Sequence, residues 1–178
     1  MLIFETPRLI VRQYTIHDAD NFFSLNGDEE VMRHIRKILN KEDSDKFLQQ
    51  NIDFYIANPN LGRWAVEEKS TRIFVGSFAL IPLPFEDEKD KLQIGYSLLP
   101  AEWGKGYATE LTAVGRDYFF DHHVFNELHG ITTTANISSQ KVLLKCGFAQ
   151  NGTKQEGEEL LQRFIYCRKQ AHSINTQD

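Results

Sequence analysis

Apolar and polar side chains alternate along Leu9–Gln13, which predicts a first strand. Thr15, with Asp18 three residues on, predicts a capping box opening a helix that carries Phe22, Phe23 and Leu25. A second helical stretch is expected over 29–35. Asn40 is placed to cap a third, where Phe47, Leu48, Asn51, Ile52, Tyr55 and Ile56 share one stripe, and Asn58-Pro59 ends it. The period then changes to two. Residues 64–67 and 73–80 predict two strands joined by a turn near Ser70, and the charged run 86–91 after Pro82 and Pro84 predicts a loop. Leu92, Ile94, Tyr96 and Leu98 alternate as the next strand, closed by Pro100, with Tyr96 read as a core residue. Connections this short favour antiparallel pairing.

Beyond Pro100 the pattern turns helical. Ala108, Leu111, Val114, Gly115, Tyr118 and Phe119 recur at the spacing of one helix face. A β-rich run follows at 128–133. A short helix over 138–146 is stopped by Gly147, and strands are expected from Phe148 and over 160–167. These elements predict an α+β fold, with a mixed, mainly antiparallel central sheet of about six or seven strands flanked by helices.

Length and composition narrow this picture. The 178 residues fit one domain, expected over 1–169, with a flexible polar tail at 170–178. A net charge of −5 argues against a general nucleic-acid binder and leaves room for a local phosphate pocket. The basic cluster 33–37 is broken by Ile35 and reads as a solvated helix face. Cys146 and Cys167 form no CxxC pair and fit a reducing compartment. Neither a signal peptide nor an apolar span is visible, so a cytoplasmic protein with no membrane partner is expected.

Candidate chemistry is densest at Trp103-Gly104-Lys105-Gly106-Tyr107-Ala108-Thr109-Glu110, between a strand and a helix. Two glycines at i and i+2 allow a tight turn and close approach of a ligand to the backbone. The first amides of the next helix, with its dipole, suit a diphosphate. The segment is neither a P-loop, which needs GxxxxGK[ST], nor a dinucleotide fingerprint, whose third glycine is here Thr109. An ordinary glycine-assisted helix entry fits these letters equally well. Elsewhere, His122 and His123 are adjacent without further ligands at metal spacing, so no metal is expected. No GxSxG elbow is present.

Four stretches, ETPRLIVRQY, IGYSLLPAEWGKGYATE, TTANISSQKVLLKCGF and the closing hairpin, together resemble the GCN5-related N-acetyltransferases (GNAT), specifically their RimJ/RimL branch. The resemblance implies a GNAT-like acyl-CoA N-acyltransferase fold and acetyl-CoA as co-substrate. It implies direct transfer, in a ternary complex, to a primary amine: a protein N-terminal α-amine or a small molecule. A monomer or homodimer would follow. Carried onto this chain, it assigns cofactor contacts to Gly104, Lys105, Gly106, Tyr107 and Ala108, with Trp103 and Thr109 at the edges of the loop. Trp103 stands where the superfamily usually has Gln or Arg, and equally fits a packed rim residue.

The family also implies a strand that bulges and splays beside the pantetheine arm, with Gly95 as the bulge and a backbone N–H of Leu98 or Leu99 on the thioester carbonyl. It places Asn136 beside the pantetheine and gives Ser139 the role of general acid, although Asn136-x-x-Ser139 is also a plain capping arrangement. Where many members carry a glutamate, this chain has Gln93, which accepts no proton. Glu158 in the hairpin is the nearest candidate base, with Glu67 a weaker one; the run 156–159 also reads as a charged turn. Asp28, Glu29 and Glu30 fit either an acceptor groove attracting a cationic amine or a solvated helix start. The missing glutamate leaves open an alternative of another class, a non-catalytic acetyl-CoA sensor or scaffold.

Overall fold

The computed structural model describes residues 1–168, so the tail expected over 170–178 lies outside the described residues. The strands are β1 (Leu2–Glu5), β2 (Leu9–Gln13), β3 (Gly62–Glu68), β4 (Phe74–Pro82), β5 (Leu92–Leu98), β6 (Glu127–Thr133), β7 (Ala149–Glu156) and β8 (Glu159–Cys167). The helices are α1 (Ala19–Asn26), α2 (Glu29–Met32), α3 (Lys41–Ala57), α4 (Tyr107–His122) and α5 (Ile137–Lys145). One sheet runs in the order β1-β2-β3-β4-β5-β6-β8-β7. Every pairing is antiparallel except β5 with β6, which α4 joins by a crossover.

The α+β architecture matches the pattern of the sequence, but among the described residues the sheet has eight strands rather than six or seven. The extra one is β1, four residues at the sheet edge with only Phe4 buried. So short an edge strand, irregular between Leu2 and Phe4, leaves no alternation to read. The second helix also stops at Met32, short of residue 35.

Alternation in β3 sorts the two layers. Trp64 and Val66 face the cluster that contains Phe78, Leu111, Phe119 and Leu143, so α4 and α5 cover that side. Ala65 faces Tyr14, Phe22, Leu25 and Leu48, the cluster under α1 and α3. Local capping sets where these helices begin. The Asp18 carboxylate accepts from the Thr15 N–H at 2.8 Å, closing a capping box on the 3-10 turn Ile16–Asp18 that leads into α1, and Asn40 Oδ1 accepts from the Asp43 N–H at 2.9 Å to start α3.

Packing of α4 on the sheet is tight at Gly115, where an added Cβ would stand 2.2 Å from Phe78 Cζ. Gly115→Ala is expected to lower stability, because overpacking costs about 1–3 kcal/mol. The better helix propensity of alanine offsets at most about 1 kcal/mol of that. A urea midpoint at or above that of the parent would contradict this packing.

Candidate active site

The strand β5 pairs with β4 in unbroken register from Pro82↔Leu92 to Gly76↔Leu98. Its only partner in β6 is at Gln93↔His129, after which the two parallel strands part. A wedge-shaped opening therefore exists, but no bulge at Gly95 makes it; β6 diverges from a regular β5. Gln93 is held in place, its Nε2 donating to the Pro82 carbonyl at 3.2 Å. His129 beside it is buried, with Nε2 and Glu127 Oε1 3.1 Å apart.

Hydrogen-bond alternation fixes which groups of β5 face the opening. The Leu99 N–H donates to the Val75 carbonyl at 3.0 Å and is therefore committed to the β4 side. Leu99 is thus removed as an oxyanion donor. Leu98, one residue earlier, directs its N–H and C=O the other way, toward the wedge. Its carbonyl accepts from Trp103 Nε1 at 2.8 Å. The half-exposed Trp103 is thus a rim residue that ties the loop to the strand end.

The loop turns through two left-handed glycines, Gly104 at φ 75° and Gly106 at φ 83°. No side chain suits that conformation as well as glycine does. Gly106 is the N-cap of α4 and brings no side chain to the helix's first amides. Asn40 and Asn136, by contrast, do so for α3 and α5. Residues 103–106 are exposed and nothing stands within 4 Å of a Cβ built at Gly104. Open amides at the positive end of a helix of 16 residues suit a diphosphate. Tyr107 turns its ring inward and donates from its hydroxyl to Glu68 Oε1 at 2.9 Å, leaving only its amide for a ligand.

The opening Thr6-Pro7-Arg8 braces this loop from behind, which the sequence reading missed. Arg8 Nε donates to Glu110 Oε2 at 2.7 Å and its Nη1 to the Lys105 carbonyl at 2.9 Å. Thr6 Oγ1 donates to the same carboxylate at 2.5 Å. Burial would raise the Glu110 pKa, but Thr6 and Arg8 outweigh it and hold the carboxyl below its ordinary range. The partners lie 97 to 104 residues apart, beyond any local pattern.

Across the wedge, α5 packs beside α4. Arg116 Nη1 donates to the Cys146 carbonyl at 2.7 Å and Cys146 Sγ to the Thr109 carbonyl at 3.4 Å. Asn136 caps α5 through the Ser139 N–H at 3.1 Å. The Ser139 hydroxyl, free of that duty, lies 3.0 Å from the Tyr96 hydroxyl. Tyr96 is therefore more than a core residue: its ring lies in the strand while its tip reaches the end of α5. Burial pushes the Tyr96 pKa up to about 12, so its hydroxyl stays protonated near neutrality. Aromatic–hydroxyl spacing across 43 residues carries no sequence signal.

Neither candidate base hydrogen-bonds directly to this pair. Glu67 is buried and bound to Arg12 at 2.6 Å, with Arg72 at 3.5 Å. Glu158 sits exposed in the β7–β8 turn, beyond the point where Leu161 pairs with Thr133. Asp28 caps α2, accepting from the Glu30 and Val31 N–H groups, which favours the helix-start reading of that acidic cluster. Cys146 and Cys167 are both free thiols. Among the described residues no helix is long and apolar enough to cross a membrane.

Comparison with known proteins gives this geometry a context. The family model of the acetyltransferase (GNAT) domain matches residues 8–149. An uncharacterized N-acetyltransferase of Bacillus subtilis (strain 168), YoaA, is 28% identical over 156 residues, covering 86% of each chain. A GNAT-family acetyltransferase of Bacillus anthracis superposes with a TM-score of 0.76 at 22% identity, over 93% of this chain and 96% of that one. The ribosomal L7/L12 alpha-N-protein acetyltransferase RimL, solved in complex with coenzyme A, gives 0.76 at 14% identity, over 94% and 98%.

Proposed function

This chain belongs to the acetyltransferase (GNAT) family and is an N-acetyltransferase, and on that premise we propose that it moves the acetyl group of acetyl-CoA directly to a primary amine. The observation that carries the proposal is the exposed Gly104–Gly106 turn opening an uncapped helix, set at the end of β5 after that strand has parted from β6. The residues fit the carrier. Backbone N–H groups of 104–108 receive the diphosphate, the wedge admits the amide arm beside β5, and Leu98 offers its N–H to the thioester oxygen. Asn136 borders the arm from the start of α5. Bound there, acetyl-CoA supplies the activated acyl group.

Transfer forms a carbon–nitrogen bond and breaks the carbon–sulfur bond. Ser139 gives its proton toward the departing sulfur while Tyr96, protonated at neutral pH, donates to Ser139 Oγ. The amine must attack unprotonated. An α-amine, with an ordinary pKa of about 7.7–8.0, needs far less help than a lysine at about 10.4. Its proton leaves through water, with Glu158 at the hairpin tip as the candidate acceptor. An α-amine acceptor also accords with RimL, the ribosomal L7/L12 alpha-N-protein acetyltransferase of the same fold. Holding the two reactants in line supplies much of the acceleration, so no covalent acyl-enzyme is required.

Coenzyme A release measured against peptides, polyamines and amino acids tests the proposal. Turnover on at least one primary amine is expected, together with thermal stabilisation by acetyl-CoA alone. Stabilisation without turnover on any amine would favour a sensor, and no stabilisation would remove acetyl-CoA from the account.

A further inference from the structure

We propose that Arg36 and Arg63 form an anion subsite in the acceptor groove, so that the amine acetylated here carries a carboxylate; this rests on the transferase reading above. The two guanidinium groups converge on one ring, with Arg36 Cζ 4.2 Å and Arg63 Cζ 5.0 Å from the Phe47 centroid. Two like charges on one ring repel each other, and with Arg36 exposed and Arg63 half-buried a shared anion can reach both from solvent.

Among the described residues, neither guanidinium reaches a carboxylate within ion-pair distance. Arg8, Arg12, Arg116 and Arg163 each meet one at 2.6–2.7 Å. Arg36 donates to Asn26 Oδ1 only, and the Arg63 side chain donates to no described residue. Arg36 is exposed overall; loss of hydration where it lies against Phe47, with the positive charge of Arg63, pushes its pKa down to about 10, still charged at neutrality. Burial also lowers that of Arg63. The fork of donors on each group matches a carboxylate.

The subsite is joined to the transfer point by an open floor. Arg63 stands opposite Ala79 in β4, and Ala79 opposite Gly95 in β5, so the three share one face of the sheet. A Cβ at Gly95 would meet only Ala79 Cβ, at 3.9 Å, and all three residues are incompletely buried. Gly95 borders the gap between β5 and β6, and Tyr96, on the opposite face, reaches Ser139 with its hydroxyl, so the floor meets the transfer point across that gap. Two strand spacings, roughly 10 Å, separate Gly95 from Arg63, which suits an acceptor whose carboxylate lies several bonds from its amine.

The test loads the full chain with coenzyme A and titrates acetylated ω-amino acids, from acetylglycine to acetyl-aminocaproate, each as the acid and as the amide. Parent protein, Arg63→Gln and Arg36→Gln are compared by calorimetry. For at least one chain length the parent is expected to bind the acid 10-fold or more tighter than the amide, and either substitution is expected to erase that preference while amide binding is unchanged. Equal affinity for acid and amide, a preference that survives both substitutions, or no binding of either form would overturn the subsite. Thermal stabilisation by acetyl-CoA, read separately, reports on the transferase reading, so the two failures are distinguishable. A loss of coenzyme A binding in Arg63→Gln would assign the arginine a structural role, which Arg36→Gln then checks independently.

Discussion

Gly106→Val is expected to raise the dissociation constant for acetyl-CoA at least 100-fold, equivalent to about 2.7 kcal/mol. Gly106 holds φ 83° at the first turn of α4. A β-branched residue there costs of the order of 1–2 kcal/mol in backbone strain and sets a side chain where the diphosphate must approach. The nearest atom to a Cβ at Gly106 is Arg8 Nη2 at 3.5 Å, so the fold has room for the change even though the ligand does not. Gly152→Val is the control. Gly152 has φ 76° in β7 with nothing within 4 Å, so it carries comparable strain remote from the loop. Equilibrium binding should separate them, with a large loss for Gly106→Val and none for Gly152→Val. Equal behaviour of the two would mean that strain alone, and not ligand contact, explains the glycine.

Ser139→Ala should lower kcat by about 100-fold, in the range of a lost general acid, with acetyl-CoA affinity nearly unchanged. The helix survives the change because Asn136, not Ser139, supplies the cap. Tyr96→Phe should have a smaller effect in the same direction, since it removes the hydroxyl behind Ser139 and leaves the proton donor itself. Steady-state kinetics beside binding decide this. If affinity fell as far as the rate, Ser139 would be a binding residue and the proton would have another source.

Much of this arrangement was legible in the sequence because it is local. Gly104 and Gly106 announce a turn that only residues without a Cβ make easily, and the strand before and the helix after are strongly periodic. Asn40 and Asn136 act on amides three residues away, within the reach of a pattern. What was hidden depends on contacts between distant segments. The bracing of the loop by Thr6 and Arg8 needs β1 and β2 laid beside α4, and the meeting of Tyr96 with Ser139 needs the β5–β6 crossover. Leu98 and Leu99 were equivalent as letters, and only the register with β4 directs one N–H toward the wedge and the other away. Gly95 was misread for a related reason. Glycine in a strand marks either a bulge or a close approach, and here it keeps the sheet surface open without breaking register. The pairing of Arg36 with Arg63 was invisible because Phe47, on a third element, brings them together.

The most direct test of the central claim is a crystal structure of the chain with coenzyme A. Diphosphate oxygens within about 3 Å of backbone nitrogens in the 104–108 turn, with the sulfur between Leu98 and Ser139, are the predicted result. A diphosphate bound elsewhere, with those amides still facing solvent, would contradict the account at its foundation.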